Sequence, residues 1–450
     1  MSNKLSDIVD FNPPRALKRG KIAPFIEMAS LPTNAKFIEQ IDTKTFSGGS
    51  KFKNGDTLFA RITPCLENGK TGKVTGLDDG SIGHGSTEFI VMSAKDPDFD
   101  EDYIYYFARL SEFREFAQQR MVGTSGRQRV AWQDLAEFTF KFPPKEERKR
   151  AAELLNVFDK KIQFNTQINQ TLEQIAQGIF KSWFVDFDPV RAKAEVLAQG
   201  KTQAEAELAA QQIISGKTPE ELTALSQTHP DRYAELAEIA KAFPSEFEEV
   251  DGFGEVPRGW EKVSISDKKI CEIIKPKINQ FEGEKDYIAT ANVSRNSIVG
   301  TLEKITYQNR PSRANMQPII NSIWFAKMVG EHKAILIDKN DEFLLKNTVL
   351  STGFLGLKPQ EKTKSFLYCF INSDYFTLSK NQLATGAVQI ALNNTSFSKI
   401  ELVLPCNNLL KFFEGKVSNL YAKISQNQRE NRELSETRDF LLPRLLNGTL

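Results

Sequence analysis

The residues of this chain that could engage a ligand are basic and amide side chains gathered in glycine-containing loops. Residues 123–132 read Gly-Thr-Ser-Gly-Arg-Gln-Arg-Val-Ala-Trp and offer Arg127, Gln128 and Arg129, with Gln389 standing in their place further along, in residues 386–389. Residues 61–73 add Arg61, Asn68, Lys70 and Lys73, and residues 81–87 add His84 and Ser86. A later group comprises Arg310, Arg313, Asn315 and Gln317 in residues 308–317, with Lys327, His332, Lys333 and Lys346 nearby. Arginine forms bidentate pairs with guanine, asparagine and glutamine pair with adenine, and glycine lets a backbone come close to phosphate. The chemistry on offer is recognition of a nucleic acid. Loops of this composition also serve simply as solvated surface, so the assignment rests on residue type.

Bond-making chemistry finds no comparable support. Asn12-Pro13-Pro14 is similar to the Asn-Pro-Pro-aromatic loop of amino methyltransferases, but Arg15 fills the aromatic position and residues 1–11 hold no glycine-rich cofactor loop. No GxxxxGK[ST] phosphate loop occurs. The acidic run at residues 98–102 lacks the spaced Glu-x-Lys of a metal-dependent nuclease. His84, His229 and His332 have no clustered acids or cysteines that would complete a metal site. Cys65, Cys271, Cys369 and Cys406 lie far apart with no CxxC pair, and are expected as reduced core thiols. A non-catalytic chain with no metal and no cofactor of its own is expected.

What positions the loops is an internal duplication. Residues 143–184 align without gaps on residues 405–446 at an offset of 262, with Pro143, Lys161, Ile162, Asn165, Asn169 and Leu172 falling on Pro405, Lys423, Ile424, Asn427, Asn431 and Leu434. Both copies carry one 3,4 spacing. The first runs Leu155, Phe158, Ile162, Asn165, Asn169, Leu172, Ala176, Ile179, Trp183; the second runs Val417, Leu420, Ile424, Asn427, Asn431, Leu434, Arg438, Leu441, Leu445. Upstream, Leu58-Phe59-Ala60-Arg61 matches Trp324-Phe325-Ala326-Lys327, and Ser86-Thr87-Glu88-Phe89 matches Ser351-Thr352-Gly353-Phe354. Ile104-Tyr105 with Phe107 likewise matches Leu367-Tyr368 with Phe370. A tandem duplication of this size is the logic of a twofold dimer written in one chain.

The spacing predicts two helices of roughly 40 residues, each about 60 Å long, whose heptad seams need a partner of matching length. Antiparallel pairing would bring Asn165 and Asn169 to Asn427 and Asn431, since a buried amide costs stability unless it meets another polar group. The expected fold is α+β, with two similar mixed α/β domains and two long helices paired as an antiparallel coiled coil. The expected divisions are 1–143, 144–190, 191–258, 259–405 and 406–450. Short strands are expected at 57–62, 88–92, 137–142, 334–337 and 399–404, with helical stretches at 102–119 and 363–379. Residues 191–258 have no counterpart in the other half and read as helices at 191–214, 219–225 and 231–242.

The chain has 450 residues, 26% of them charged and 40% apolar, and a formal net charge of +1. Residues 191–258 carry 7 Lys and Arg against 13 Asp and Glu, whereas residues 259–405 carry 19 against 14. A basic surface on part of a neutral chain is compatible with DNA contact. No run of 18 apolar residues occurs and residues 1–10 carry acids rather than a basic, then apolar leader, so a cytoplasmic location and no membrane contact are expected.

Three strings carry a family resemblance: Phe-Lys-Ser-Trp-Phe-Val-Asp-Phe-Asp-Pro-Val at 180–190, Gly-Glu-Val-Pro-Arg-Gly-Trp at 254–260, and Leu-Leu-Pro-Arg-Leu-Leu-Asn-Gly at 441–448. Together with the order of domain, helix, linker, domain and helix, they make nearly the whole chain resemble the specificity subunits of type I restriction-modification systems. The resemblance implies two target-recognition domains, each reading half of a bipartite site in double-stranded DNA, with the helices as spacer. It implies two modification subunits that dock on the helices and methylate adenine, with motor and nuclease subunits joining for cleavage. S-adenosylmethionine, ATP and magnesium would then sit on the partners. Recognition loops vary within such a family, so the contact residues named above come from their chemistry alone. The competing readings are a scaffold whose two domains bind proteins, and an enzyme with an unfamiliar active site.

Overall fold

The computed structural model describes residues 3–124, 126–330, 332–386 and 390–449. It divides into two compact units, Met1–Gln167 with Arg429–Leu450, and Ile168–Gln428. Each unit combines one globular half of the chain with part of both long helices.

In the first unit one four-stranded sheet has the order Val9–Phe11, Phe89–Ala94, Thr57–Ala60, Thr71–Lys73, all neighbours antiparallel. A second has the order Asp42–Thr45, Ile22–Ile26, Gly83–Gly85, Ser50–Phe52, where only the middle pair is parallel. Thr57–Ala60 is buried at every residue, so apolar side chains from both of its faces enter cores: Phe59 meets the helices, whereas Leu58 and Ala60 meet the second sheet's Ile26 and Phe52 cluster. Helices Pro97–Phe107 and Ser111–Gln119 cover the Phe59 side.

The second unit repeats this plan strand for strand. Its first sheet is Cys271–Ile274, Phe354–Pro359, Ser322–Ala326, Ala334–Ile337, all antiparallel. Its second is Glu303–Ile305, Lys285–Ile288, Thr348–Ser351, Ala314–Met316, again with only the middle pair parallel. Helices Lys364–Ile371 and Asp374–Leu383 occupy the places of the two in the first unit. The fold class is thus α+β, two similar mixed domains with long helices.

Three sequence expectations need correction. The stretches 102–119 and 363–379 are each two helices, since apolar periodicity runs on across the breaks at residues 108–110 and 372–373. Residues 191–214 likewise split into Asp188–Ala198 and Gln203–Ser215, because Gly200 adopts φ +75°, a conformation glycine tolerates. Cys406 is exposed and Cys65 half-buried, so only Cys271 and Cys369 are core thiols. Helices Pro219–Thr228 and Pro230–Ala242 complete the connector, and capping boxes start two of its helices at Thr202 and Thr218.

The long helices are Lys145–Phe184 and Asn407–Leu446, 40 residues each. Within the first unit Asn165 Nδ2 donates to Asn431 Oδ1 at 2.9 Å and to Glu430 Oε2 at 2.9 Å. Within the second, Asn427 Nδ2 donates to Asn169 Oδ1 at 2.8 Å. The lower number pairs with the higher in each case, so the helices run antiparallel. Phe158, Ile162, Leu172, Ile179, Leu420 and Leu434 are half-buried, while Trp183 and Ile424 are buried.

The first helix ends where the string at 180–190 begins to fold back, with Phe187 left-handed at φ +56° and Pro189 opening the next helix. Its aromatics explain the composition of that string. Trp183 packs edge-on against Phe243 at 5.3 Å, Phe184 on Phe413 at 5.0 Å, and Phe187 on Trp260 at 5.5 Å. Lys193 is buried beside them, its ammonium donating to Ala240 O at 3.2 Å and to Phe243 O, with burial pushing its pKa down. The string at 180–190 is therefore the part of the second unit's core that holds the connector.

Candidate nucleic-acid interface

The loop residues separate cleanly into buried and accessible ones. Lys73 is 2% exposed, donates to Glu101 O at 2.8 Å, and lies 3.2 Å from Asp102. His84 is equally buried, between Phe25 and Phe46, with Nε2 3.1 Å from Lys44 O. Both leave the candidate set, because a side chain enclosed by its own fold cannot reach a base edge. Lys70 is tied to Met28 O at 2.7 Å, and Ser86 Oγ accepts from Glu88 N at 3.1 Å to shape a turn. Asn12 likewise serves the fold, exchanging two 2.8 Å hydrogen bonds with the Val91 backbone.

The accessible residues of the first unit converge where strand Thr57–Ala60 ends. Arg61 N donates to Glu88 O at 3.0 Å, and Val130 N donates to Arg61 O at 3.0 Å. Thr63 N donates to Gln128 O at 3.0 Å, while Val122 and Arg129 exchange backbone hydrogen bonds of 3.0 and 2.9 Å. On this frame Arg129 Nε and Nη2 grip both carboxylate oxygens of Glu88 at 2.7 to 3.0 Å. The Arg129 side chain stays 40% exposed. Arg61 Nε lies 3.9 Å from the same carboxylate, buried and without a hydrogen bond. Arg127 is exposed beside them and Gln128 half-buried.

The second unit builds the same frame from other residues. Lys327 N donates to Gly353 O at 3.1 Å, Leu392 N to Lys327 O at 2.9 Å, and Val329 N to Ile390 O at 3.3 Å. Thr385 and Ala391 exchange bonds of 3.2 and 3.1 Å, as Val122 and Arg129 do. Hydrogen bond by hydrogen bond, Lys327 replaces Arg61, Gly353 replaces Glu88, Ile390 replaces Gln128 and Ala391 replaces Arg129. Exposed Arg313 is anchored to the same turn, its carbonyl accepting from Thr352 N at 2.8 Å. Lys275 extends from strand Cys271–Ile274. The Lys327 ammonium is pushed below its usual range by burial and then by Lys275 and Arg313.

The remaining candidates lie apart from this frame or serve it. Lys333 donates to Thr290 O at 3.2 Å, and Arg310 stacks 4.1 Å over the Tyr307 ring. Lys346 forms a solvent-exposed i,i+4 pair with Glu342, and Asn315 is half-buried in its strand. Gln389 lies outside the described residues. Burial holds His332 down to about 4, and its Nε2 sits 3.2 Å from Asn296 Oδ1. Reasoning from sequence missed Lys275, Glu88 and the exposed apolar trio Met328, Val329 and Ile390. The aligned strings at 86–89 and 351–354 carried the signal for Glu88. Among the described residues no cluster of metal-ligating side chains occurs, and no helix is long and apolar enough to cross a membrane.

Two domains of identical strand order, each joined to antiparallel helices and each presenting cations at one strand end, define a tandem recognition module. The profile of the type I restriction modification DNA specificity domain matches residues 2–174. The chain is 36% identical, over 93% of its length and 92% of the other, to the type I restriction enzyme HindI specificity subunit of Haemophilus influenzae. It is 22% identical, over 78% of its length and 69% of the other, to the MjaIX specificity subunit of Methanocaldococcus jannaschii. Among solved structures, the type I S subunit of M. genitalium aligns over 99% of this chain and 96% of its own at 15% identity, with a TM-score of 0.47. The chain belongs to the family of type I restriction enzyme specificity subunits.

Proposed function

We propose that this chain is the non-catalytic DNA-reading subunit of a type I restriction-modification complex in the cytoplasm. Each globular domain, at residues 1–143 and 259–405, reads one half of a bipartite site in double-stranded DNA. The helices at 144–190 and 406–450 set the spacing between the half-sites and dock two modification subunits, which bind S-adenosylmethionine and methylate adenine. Restriction and motor subunits, with ATP and magnesium, complete the assembly. The connector at 191–258 braces the second domain.

The observation that carries this reading is the repeated frame: one backbone hydrogen-bond pattern, built twice, with the side chains replaced at its accessible positions. A protein that reads two different half-sites needs an invariant platform with variable contacts. A scaffold binding two copies of one protein would keep those contacts alike. Exchange of residues 259–405 for the corresponding domain of a relative, followed by single-molecule sequencing of methylated adenines, tests it. One half of the methylated sequence should change and the other persist. An unchanged sequence would make the domains protein-docking modules instead.

A further inference from the structure

Resting on that reading, we infer that the shared strand-end position reads DNA by different chemistry in the two domains. The first recognises a guanine through Arg129 held by Glu88. The second recognises a thymine methyl group through Met328, Val329 and Ile390, with Lys327 and Arg313 on the flanking phosphates.

In the first domain the carboxylate of Glu88 engages Arg129 side-on, through Nε and Nη2, and Arg127 O accepts from Nη1 at 3.2 Å. Nη1 and Nη2 each keep one further N–H for a ligand. Such a pair of donors matches O6 and N7 of guanine in the major groove. Because Glu88 already fixes the guanidinium plane, binding has less side-chain freedom to remove. The exposed Lys346–Glu342 pair shows the contrast, since both of its side chains are about as solvated as free ones. Glu88 is a positioning residue in this scheme and Arg129 the contact.

In the second domain both the arginine and the carboxylate that holds it are replaced. Gly353, Ile390 and Ala391 occupy the positions of Glu88, Gln128 and Arg129. Instead Met328, Val329 and Ile390 are 43%, 41% and 51% exposed, joined through the Val329–Ile390 backbone bond. A cluster of large exposed apolar side chains marks a contact surface. Its occupant must also be compatible with the cations of Lys327 and Arg313 alongside, and a polyanion with methyl groups on its accessible edge is. Thymine is the base that offers a methyl in the major groove. Phosphate beside Lys327 would relieve the repulsion that Lys275 and Arg313 exert on its ammonium.

The test uses the chain assembled with its modification subunits, and base analogues in the DNA, so that the base effects are read on the unaltered chain. Domain exchange first assigns each half of the mapped methylated site to a domain. Replacing guanines of the first half-site one at a time by 7-deazaguanine, which lacks N7, should weaken binding about tenfold at one position. Replacing thymines of the second half-site by uracil should weaken it about fourfold at one position, the worth of one buried methyl. The first effect should vanish with Arg129→Ala and shrink with Glu88→Gln, and the second should vanish with Met328→Ala combined with Ile390→Ala. A first half-site without guanine, or silent analogues in either half, overturns the inference while the domain exchange still supports DNA reading. An exchange that leaves the methylated sequence unchanged removes both.

Discussion

Equivalent places on the two long helices carry opposite chemistry. In the first unit Asp159 and Arg438 form an ion pair, each no more than 3% exposed, and Tyr106 OH donates to Asp159 Oδ2 at 2.7 Å. At the offset of the duplication these positions correspond to Tyr421 and Ala176 in the second unit, with Cys369 in the place of Tyr106. There the Cys369 thiol and Tyr421 hydroxyl lie 3.1 Å apart, and Tyr421 donates onward to Glu173 Oε1 at 3.3 Å. Loop carbonyls reach the long helix in both units, but at places the duplication does not relate: Asn34 O accepts from Arg438 at 3.4 Å, and Asn296 O accepts from Gln428, the position equivalent to Thr166, at 3.2 Å. Within the duplicated scaffold one lock is ionic and the other neutral. Interchanging the helix segments would bury a charge without its partner, which fixes which segment belongs in which unit.

The ionic lock gives the largest expected effect. Arg438→Ala leaves the Asp159 carboxylate buried and unpaired, and should cost about 3–5 kcal/mol in urea unfolding. Combining Asp159→Tyr with Arg438→Ala writes the second unit's pair into the first, and should recover at least half of that loss. A double variant no better than Arg438→Ala alone would mean that the two locks are not interchangeable solutions to one packing problem.

The asparagine pairs come next. Asn165→Leu leaves Asn431 Oδ1 without its donor and should cost about 1–3 kcal/mol, whereas Asn165→Leu with Asn431→Leu should be nearly neutral. The double variant gives up the polar contact that specifies alignment. Cysteines at 165 and 431 should crosslink in the parent background and do so less selectively once Asn169 and Asn427 are also leucine. Equal selectivity in both backgrounds would show that apolar packing alone sets the register.

These helices were legible in the sequence because a seam repeats in residue type at fixed spacing, and duplication doubled the signal. The lock at Asp159 was not, since it stands one position off the seam at Phe158 and its partners, Tyr106 and Arg438, come from elements far away in the sequence. Lys73 and His84 failed as contacts for the same reason. Each sits on a short strand buried on both sides, Thr71–Lys73 and Gly83–Gly85, with no alternation of polar and apolar residues to give a face away. Their partners Asp102 and Phe46 come from other elements. Strand-end positions were found by residue type where they carried charge, at Arg61, Arg129 and Lys327, and missed where they carried apolar groups, at Met328 and Ile390.

The neutral lock predicts a smaller effect and a dependence on pH. Tyr421→Phe removes a donor to Glu173 and should cost about 1 kcal/mol, well below the ionic lock. Burial raises the Glu173 carboxyl above its usual range, although Gln177, Asn372 and Tyr421 donate to it and pull it back. A carboxyl whose folded pKa lies above its unfolded one binds its proton more tightly in the folded state. Below the unfolded pKa both states are protonated and the site costs nothing by ionisation. As pH rises from there through the folded pKa the unfolded chain ionises first, so stability falls, and above the folded pKa the full penalty remains. Glu173→Gln keeps an oxygen for the same three donors and has no proton to lose. The stability of the variant relative to the parent should therefore increase between pH 4 and pH 7, read by hydrogen exchange at the backbone amides of residues 173–180. A difference that is flat over this range would mean that Glu173 stays ionised at little cost, and that the second lock is ionic in character after all.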